Sequence, residues 1–249
     1  MTRNVILFAA ALGLLGCQPR PNERNPGPQP VAAEVPRPDP GVALQGQVLD
    51  TATNQPVSRA EVCLVSSETS CRRTGPGGVF QLPPLPRDSV AMLEVVASGY
   101  EPTLYPLVLH SDDQMRSVRV MPQGRWTSLA DRAGVTENGT EGNIRFVARE
   151  WVDTHFEPLT GLQYVPKDPA ANETLWYYGK HGLTGEEGGA IAFNSKPGLW
   201  SYQLVVDGSE LLCAARFGWN TSADQVVVPV VAGFTTNIEH VCLVVPEAS

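Results

Sequence analysis

Proline and glycine interrupt this chain too often for long helices: 22 prolines and 23 glycines are spread through 249 residues. No long run of Ala, Leu, Glu and Lys with helical period lies between them, which excludes an all-helical fold. From Gly41 onward the pattern is short apolar or alternating runs bounded by Gly, Pro, Asn and Asp, as in a β-sandwich or barrel. These runs predict strands over 42–49, 60–66, 79–82, 90–97, 103–109 and 116–121 in the first half. In the second half they predict strands over 144–150, 161–165, 174–178, 190–193, 199–206, 210–217, 225–231 and 237–245. Asp207-Gly208 reads as a tight hairpin turn, since glycine accepts positive φ. The stretch from Pro122 to Gly142 is polar and Gly-rich, with room for at most one short helix near Ser128–Ala133.

Within the first half, Gly46 to Val62 reads as strand, polar turn, strand. Thr74-Gly75-Pro76-Gly77-Gly78-Val79-Phe80 follows, then Leu85-Pro86, then Leu93-Glu94-Val95-Val96-Ala97-Ser98-Gly99-Tyr100. This succession resembles the carboxypeptidase regulatory-like domain, over residues 42–121. The resemblance implies a seven-stranded sandwich of transthyretin-like fold, a module that accompanies others as a folding, spacing or docking unit. The family's T-D-x-x-G-x-F turn has no Asp here, so no cation or partner contact is carried over from it. The second half repeats the plan. Glu157-Pro158-Leu159-Thr160-Gly161-Leu162-Gln163-Tyr164 parallels Gln55 to Val62, and Thr184 to Phe193 parallels Thr74 to Phe80 with a longer turn. The expected fold is all-β: two consecutive transthyretin-like or Ig-like β-sandwiches over 42–121 and 144–249, joined by a linker over 122–143.

The N-terminus is read as an address. Arg3 supplies a positive start, and Val5 to Gly16 is an uncharged run too short to span a bilayer. It ends in Leu14-Leu15-Gly16-Cys17, which resembles the lipobox of bacterial lipoproteins. The resemblance implies a signal peptide over 1–16, removed before Cys17, a diacylglyceryl group on the cysteine sulfur, and palmitate among the attached acyl chains. Gln18 at the next position favours an outer-membrane address. Residues 17–41 then form a Pro-rich tether. Eight prolines fall between Gln18 and Pro40, favouring polyproline II. At about 3.1 Å per residue this tether reaches roughly 70 Å.

The formal net charge is −8, from 18 Lys+Arg against 26 Asp+Glu, with no basic tract. Nucleic acid is excluded, because its binding rests on cations neutralising phosphates. The same acidity means that anionic headgroups do not hold the chain as a whole at a membrane, so the expected membrane contact is the lipid on Cys17.

Five cysteines are present. Lipidation of Cys17 leaves Cys63, Cys71, Cys213 and Cys242 in a compartment that permits disulfides. Of three pairings, Cys63–Cys71 and Cys213–Cys242 are the intradomain choice. The first closes a hairpin and the second ties the last strand to an earlier one. The competing reading is a metal site of Cys213, Cys242 and His240, but Cys242 is followed by Leu243-Val244-Val245-Pro246, without the His and Met of copper-binding sandwiches. No metal or cofactor is expected.

Signatures of catalysis are absent: no Gly-x-Ser-x-Gly, no His-Glu-x-x-His, no phosphate-binding Gly-rich loop ending in Lys, no Cys-x-x-Cys. His110 before Ser111-Asp112-Asp113, His181, and the Glu186-Glu187 pair are the residues an extracytoplasmic hydrolase would have to use. The strongest binding feature is Trp176-Tyr177-Tyr178, in which a strand places Trp176 and Tyr178 on one face and Tyr177 on the other. At least one ring is therefore expected to face away from the core, able to stack on a sugar or anchor a protein. Trp200 and Tyr202 alternate as core residues do. The expected function is non-catalytic: an envelope-anchored module that binds or scaffolds an envelope protein or polysaccharide.

Overall fold

A computed structural model describes residues 41–65, 70–109, 116–167, 174–178, 184–185, 188–206 and 209–246. The expected signal peptide, Cys17, most of the Pro-rich tether, His110, His181, Glu186-Glu187 and Asp207-Gly208 lie outside the described residues.

The first half contributes β1 (Val42–Asp50), β2 (Glu61–Leu64), β3 (Cys71–Arg73), β4 (Val79–Leu85), β5 (Val90–Val96), β6 (Thr103–Val108) and β7 (Arg116–Val120). Helix α1 (Gln123–Ala133) follows. The second half contributes β8 (Gly142–Val152), β9 (His155–Pro158), β10 (Leu162–Pro166), β11 (Thr174–Tyr177) and β12 (Gly189–Ser195). It ends with β13 (Gly198–Val206), β14 (Ser209–Phe217), β15 (Trp219–Ser222), β16 (Gln225–Val230) and β17 (Thr235–Pro246). The architecture is all-β, as the alternating runs dictate. Strands β3, β9 and β15 are too short and too polar to stand out in the sequence.

A three-stranded sheet, β4-β1-β7, packs over β6-β5-β2-β3 to close the first sandwich. Alternate residues meet in between, among them Leu44, Val48, Phe80, Leu82, Leu93, Val95, Tyr105 and Leu107, all buried. A four-stranded sheet, β10-β13-β16-β15, packs over β12, β8, β17 and β14 to close the second. Its core holds Phe146, Tyr164, Tyr202, Val226, Val228 and Ile238.

The two sandwiches share one sheet. Strand β17 pairs in parallel with β8 along one edge, from Thr235↔Asn143 to Cys242↔Glu150. Its other edge is taken first by β6, through Thr235↔Thr103 and Thr236↔Leu104, and then by β14 from Glu239 onward. This register sets even positions of β17 beside even positions of β6. Because β6 buries odd residues (Tyr105, Leu107) and β17 buries even ones (Ile238, Cys242), the two cores lie on opposite faces of the shared sheet. Strand β14 crosses between them. Leu211 and Cys213 face the second core, but a bulge at Ala215–Phe217 turns Phe217 onto the other face, edge-on to Tyr105 at 4.8 Å in the first core.

Two expectations change here. The stretch 122–143 carries an eleven-residue helix, longer than the short piece near Ser128. Trp126, Leu129 and Ala130 form its buried stripe, and Gly134, in the left-handed conformation, closes its C-terminus onto the Ala130 and Asp131 carbonyls. Nor is β13–β14 a hairpin. Both edges of β13 are occupied, by β10 and β16, so the chain passes from one sheet to the other between Val206 and Ser209.

The sequence parallel between the halves has a structural counterpart. In the first half the Thr74 hydroxyl donates to Val57 O (2.8 Å) and accepts from Ala60 N (2.9 Å). Around it, Val57 N donates to Val48 O, Val48 N to Gly78 O, Arg59 N to Thr74 O, Thr74 N to Ala60 O, and Gly78 N to Gly75 O. In the second half the Thr184 hydroxyl donates to Leu159 O (2.7 Å) and accepts from Leu162 N (3.0 Å). The backbone bonds recur one for one: Leu159 N to Ala148 O, Ala148 N to Gly188 O, Gly161 N to Thr184 O, Thr184 N to Leu162 O, and Gly188 N to Gly185 O. Gly78 (φ +70) and Gly188 (φ +63) have positive φ, and a Cβ on either would stand 2.6 or 2.4 Å from the carbonyl oxygen of Val48 or Ala148.

Candidate functional site

Cross-strand geometry settles the cysteines. Cys63 and Cys71 face each other across β2–β3, and Cys213 and Cys242 across β14–β17, with Cα atoms 4.1 and 4.0 Å apart, and both pairs are disulfide-bonded. The metal alternative falls, since Cys213 and Cys242 are bonded to each other. His240, on the same face as Cys242, is sealed in the second core with neither ring nitrogen hydrogen-bonded. Burial pushes its pKa down to about 4, so it is neutral near pH 7. The nearby Tyr164 ring lies 6.1 Å away; its hydroxyl is likewise buried without a partner, and burial pushes its pKa upward.

Each face of the aromatic strand packs against a different cluster, and all three rings are half-buried. Tyr177 turns to the second core, where its hydroxyl accepts from Tyr164 N (2.9 Å) and donates to Tyr164 O (3.2 Å). Trp176 and Tyr178 take the opposite face and pack with Ile191, Phe193 and the buried stripe of α1. Tyr178 meets Trp176 edge-to-face at 5.2 Å, and Arg132 of α1 lies over the indole at 5.3 Å. Gly189 makes room for this, since a Cβ there would sit 2.1 Å from the Tyr178 ring. Tyr202 is fully buried and Trp200 half-buried against the second core, as their alternation implies.

Among the described residues the polar groups gather where the halves meet. Arg116 reaches from β7 to Arg216 O (2.6 Å) and Val108 O (3.1 Å), with its guanidinium 5.8 Å from the Phe217 ring centre. On the same face, Arg145 donates to Asn237 (2.7 Å), and Arg149 and Arg216 both reach the buried Glu239 carboxylate at 3.4 Å. At the opposite end of β17, Glu137 accepts from Trp126 Nε1 (2.6 Å) and Asn143 (2.9 Å). Glu101 lies beside it and contacts Thr235 at 3.4 Å. Burial first, and the Glu137 charge second, push the Glu101 carboxyl up to about 7.

None of these groups sets a nucleophile beside a base. His155 pairs with Glu157 (2.8 Å) on an exposed hairpin, and neither ring nitrogen of His240 has a hydrogen-bond partner. Two open grooves of about 370 and 450 Å³ flank β14, one lined by residues that include Gln203, Ser209, Leu211 and Asp224, the other by residues that include Val108, Asn220, Thr221 and Ser222. The residues that sequence reasoning missed are Arg116, Arg145, Arg149, Arg216 and Glu239. Arg145 and Arg149 share a face of β8 at i and i+4, but only the register with β17 discloses their partners.

No protein-family model matches this chain, and no curated protein matches it. Solved structures that overlap it include a minor pilin of Streptococcus agalactiae, at 9% identity over 83% of this chain and 98% of that one, with a TM-score of 0.31. A shaft pilin of Lactobacillus rhamnosus GG overlaps at 11% identity over 84% and 97%, with a TM-score of 0.24. The major pilin of a Streptococcus pyogenes serotype overlaps at 8% identity over 83% and 97%, with a TM-score of 0.25. At scores this low the overlap assigns neither family nor function.

Proposed function

We propose that this chain is a non-catalytic, envelope-anchored lipoprotein: Cys17 carries the lipid, the Pro-rich stretch is a spacer, and the double sandwich is a stiff binding or scaffolding body. The observation that carries this reading is the shared sheet. Strand β17 belongs to the ladders of both halves, and Phe217 from one half completes the core of the other. Such a body transmits position without bending at a linker, which suits a structural part. Within this reading the protein is extracytoplasmic, held at the outer membrane where one exists, and its partner is an envelope protein or polysaccharide.

A second reading is carbohydrate binding at Trp176 and Tyr178, whose half-buried rings keep part of their surface; Arg132 lies over one face of Trp176, and Tyr177 packs against the second core. The test begins with fatty-acid labelling in cells, where the wild type takes up label and Cys17→Ser does not. Crosslinking from intact cells then identifies the partner: a single recurrent envelope protein supports scaffolding. Retention on exported glycan, lost on Trp176→Ala, supports the sugar reading. Turnover of any envelope substrate that His181→Ala abolishes overturns the non-catalytic one.

A further inference from the structure

The shared sheet has one face partly uncovered. Helix α1 packs over its β11–β12 side, through Ile191, Phe193 and Trp176, and β4-β1-β7 packs over its β6-β5-β2-β3 side. Between these covers, the same face of β9, β8, β17 and β14 carries Phe156, Trp151, Leu243 and Leu212 on successive strands. Phe156 stands opposite Trp151, and Leu212 opposite Leu243. The β8–β17 ladder, in register through Glu150↔Cys242, brings Trp151 beside Leu243. With Val245 these side chains are between 37 and 50% exposed, and the two rings meet edge-to-face at 4.6 Å. A row of apolar side chains crossing four strands is a patch, unlike scattered surface leucines.

Charge is divided across the β8–β9 hairpin. The apolar face continues along β8 into Arg149 and Arg145; Arg149 and Arg216 share one carboxylate, Glu239, while Arg145 donates to the neutral Asn237. The other face of the hairpin carries Glu150, opposite Glu157, and His155. A chain that is acidic overall thus presents an apolar row with a cationic border on one side of one hairpin. Strand β1 begins at this end of the fold. Val42 pairs with Leu85, one turn before Val90, and Val90 pairs with Val108 at the end of β6, which runs in the same direction as β17.

We propose that this row is a lipid-facing surface: Trp151, Phe156, Leu212, Leu243 and Val245 enter the headgroup–acyl boundary while Arg149 and its neighbours meet lipid phosphates. The row does not depend on acylation; the lipoprotein reading matters only in placing a bilayer within reach. A second contact of this kind converts a tethered body into one held in a fixed orientation.

The mature chain carrying Cys17→Ser, which has no acyl group, is mixed with phosphatidylethanolamine–phosphatidylglycerol vesicles and floated on a density gradient. The wild-type body is expected to float with the lipid. Trp151→Ser together with Leu243→Ser lowers the floated fraction about fivefold or more, with the thermal midpoint unchanged because both sites are exposed. Leu199→Ser, at an exposed leucine outside the row, leaves flotation intact. Failure of the wild type to float overturns the proposal, as does flotation indifferent to the double substitution. A dimer in lipid-free solution that the double substitution dissociates, without flotation, overturns it in favour of a self-interface. Acylation of Cys17 is read separately by fatty-acid labelling, so either reading can fail without the other.

Discussion

Thr184 does in the second sandwich what Thr74 does in the first: each buried hydroxyl bridges a carbonyl oxygen and a backbone N–H three residues further along the chain. The bridge fixes the entry into the next strand by satisfying two main-chain groups that no ladder reaches. Valine has the same shape but no hydroxyl, so Thr74→Val and Thr184→Val each strand one donor and one acceptor. We expect each to cost about 2–4 kcal/mol. The sites share no partner, so the double variant should show the sum. Urea unfolding of the three variants measures this; a neutral result at either site would mean that water replaces the hydroxyl there.

The glycines of the same motif act through sterics. Gly78→Ala and Gly188→Ala each put a Cβ against a backbone carbonyl at positive φ, and neither carbonyl can move without breaking its strand. A loss of about 2–4 kcal/mol is expected for each. Gly139→Ala, where a Cβ meets nothing within 4 Å, should be within about 0.5 kcal/mol of the wild type. Thermal unfolding of the three proteins side by side separates the clash from a general loss of glycine.

Two buried groups give stability opposite pH dependences. His240 has its pKa lowered from 6.5 to about 4, so between those values the unfolded chain binds a proton that the folded one refuses. Its contribution is complete above pH 6.5 and is lost as pH falls toward 4, by up to about 3 kcal/mol. Glu101 has its pKa raised from 4.5 to about 7, so the folded chain holds a proton that the unfolded one releases. Its contribution is complete below pH 4.5 and is lost as pH rises through 7. The two slopes oppose each other in the window they share. His240→Leu should expose the Glu101 trend, stability falling from pH 4.5 to 7, and Glu101→Gln should expose the His240 trend, stability rising from pH 4 to 6.5. Denaturant midpoints across that range decide it, and parallel profiles for the two variants would refute both assignments.

What the sequence discloses divides by range. The Thr–Gly motif is legible because its turn residues are contiguous, and it repeats. Strand periodicity is legible wherever one face is buried, as in β1, β5 and β16. Helix α1 is half legible: Trp126, Leu129, Ala130 and Ala133 have helical spacing, but Pro122, Gly124 and Gly134 close around them as a polar stretch. The shared sheet has no local signal at all. Its parallel ladders join Thr235 to Asn143 and to Thr103, and parallel pairing over such distances leaves no turn in the sequence. The partial burial of Trp176 follows from α1, so the surroundings of the aromatic strand are no more legible than the helix.

The disulfides should differ in weight. Cys63–Cys71 spans 8 positions and Cys213–Cys242 spans 29. Loop-closure entropy alone puts their contributions near about 2.5 and 3.5 kcal/mol. The second pair is also buried, so its replacement by alanine opens a void in the second core. The Cys213→Ala/Cys242→Ala variant should therefore unfold at a lower denaturant concentration than Cys63→Ala/Cys71→Ala. Equal midpoints would show that the first hairpin is held by more than its local ladder.

Phe217 tests whether the halves are one folding unit. It belongs to β14 but is 1% exposed in the first core, against Tyr105, with Arg116 over its ring. Phe217→Ala should cost about 3–5 kcal/mol as a buried aromatic deletion. The location of the loss is the sharper prediction. Because the void opens beneath β6 and β7, amide exchange should accelerate in β1, β6 and β7, all far from Phe217 in sequence, as well as in β14. Gly218 N donates to Pro106 O at 2.7 Å, so the strand end and the void are tied to the same stretch of β6. Exchange that accelerates only in β14 and β17 would make the sandwiches separate cooperative units despite their common sheet, and the stiff-body reading would fail with it.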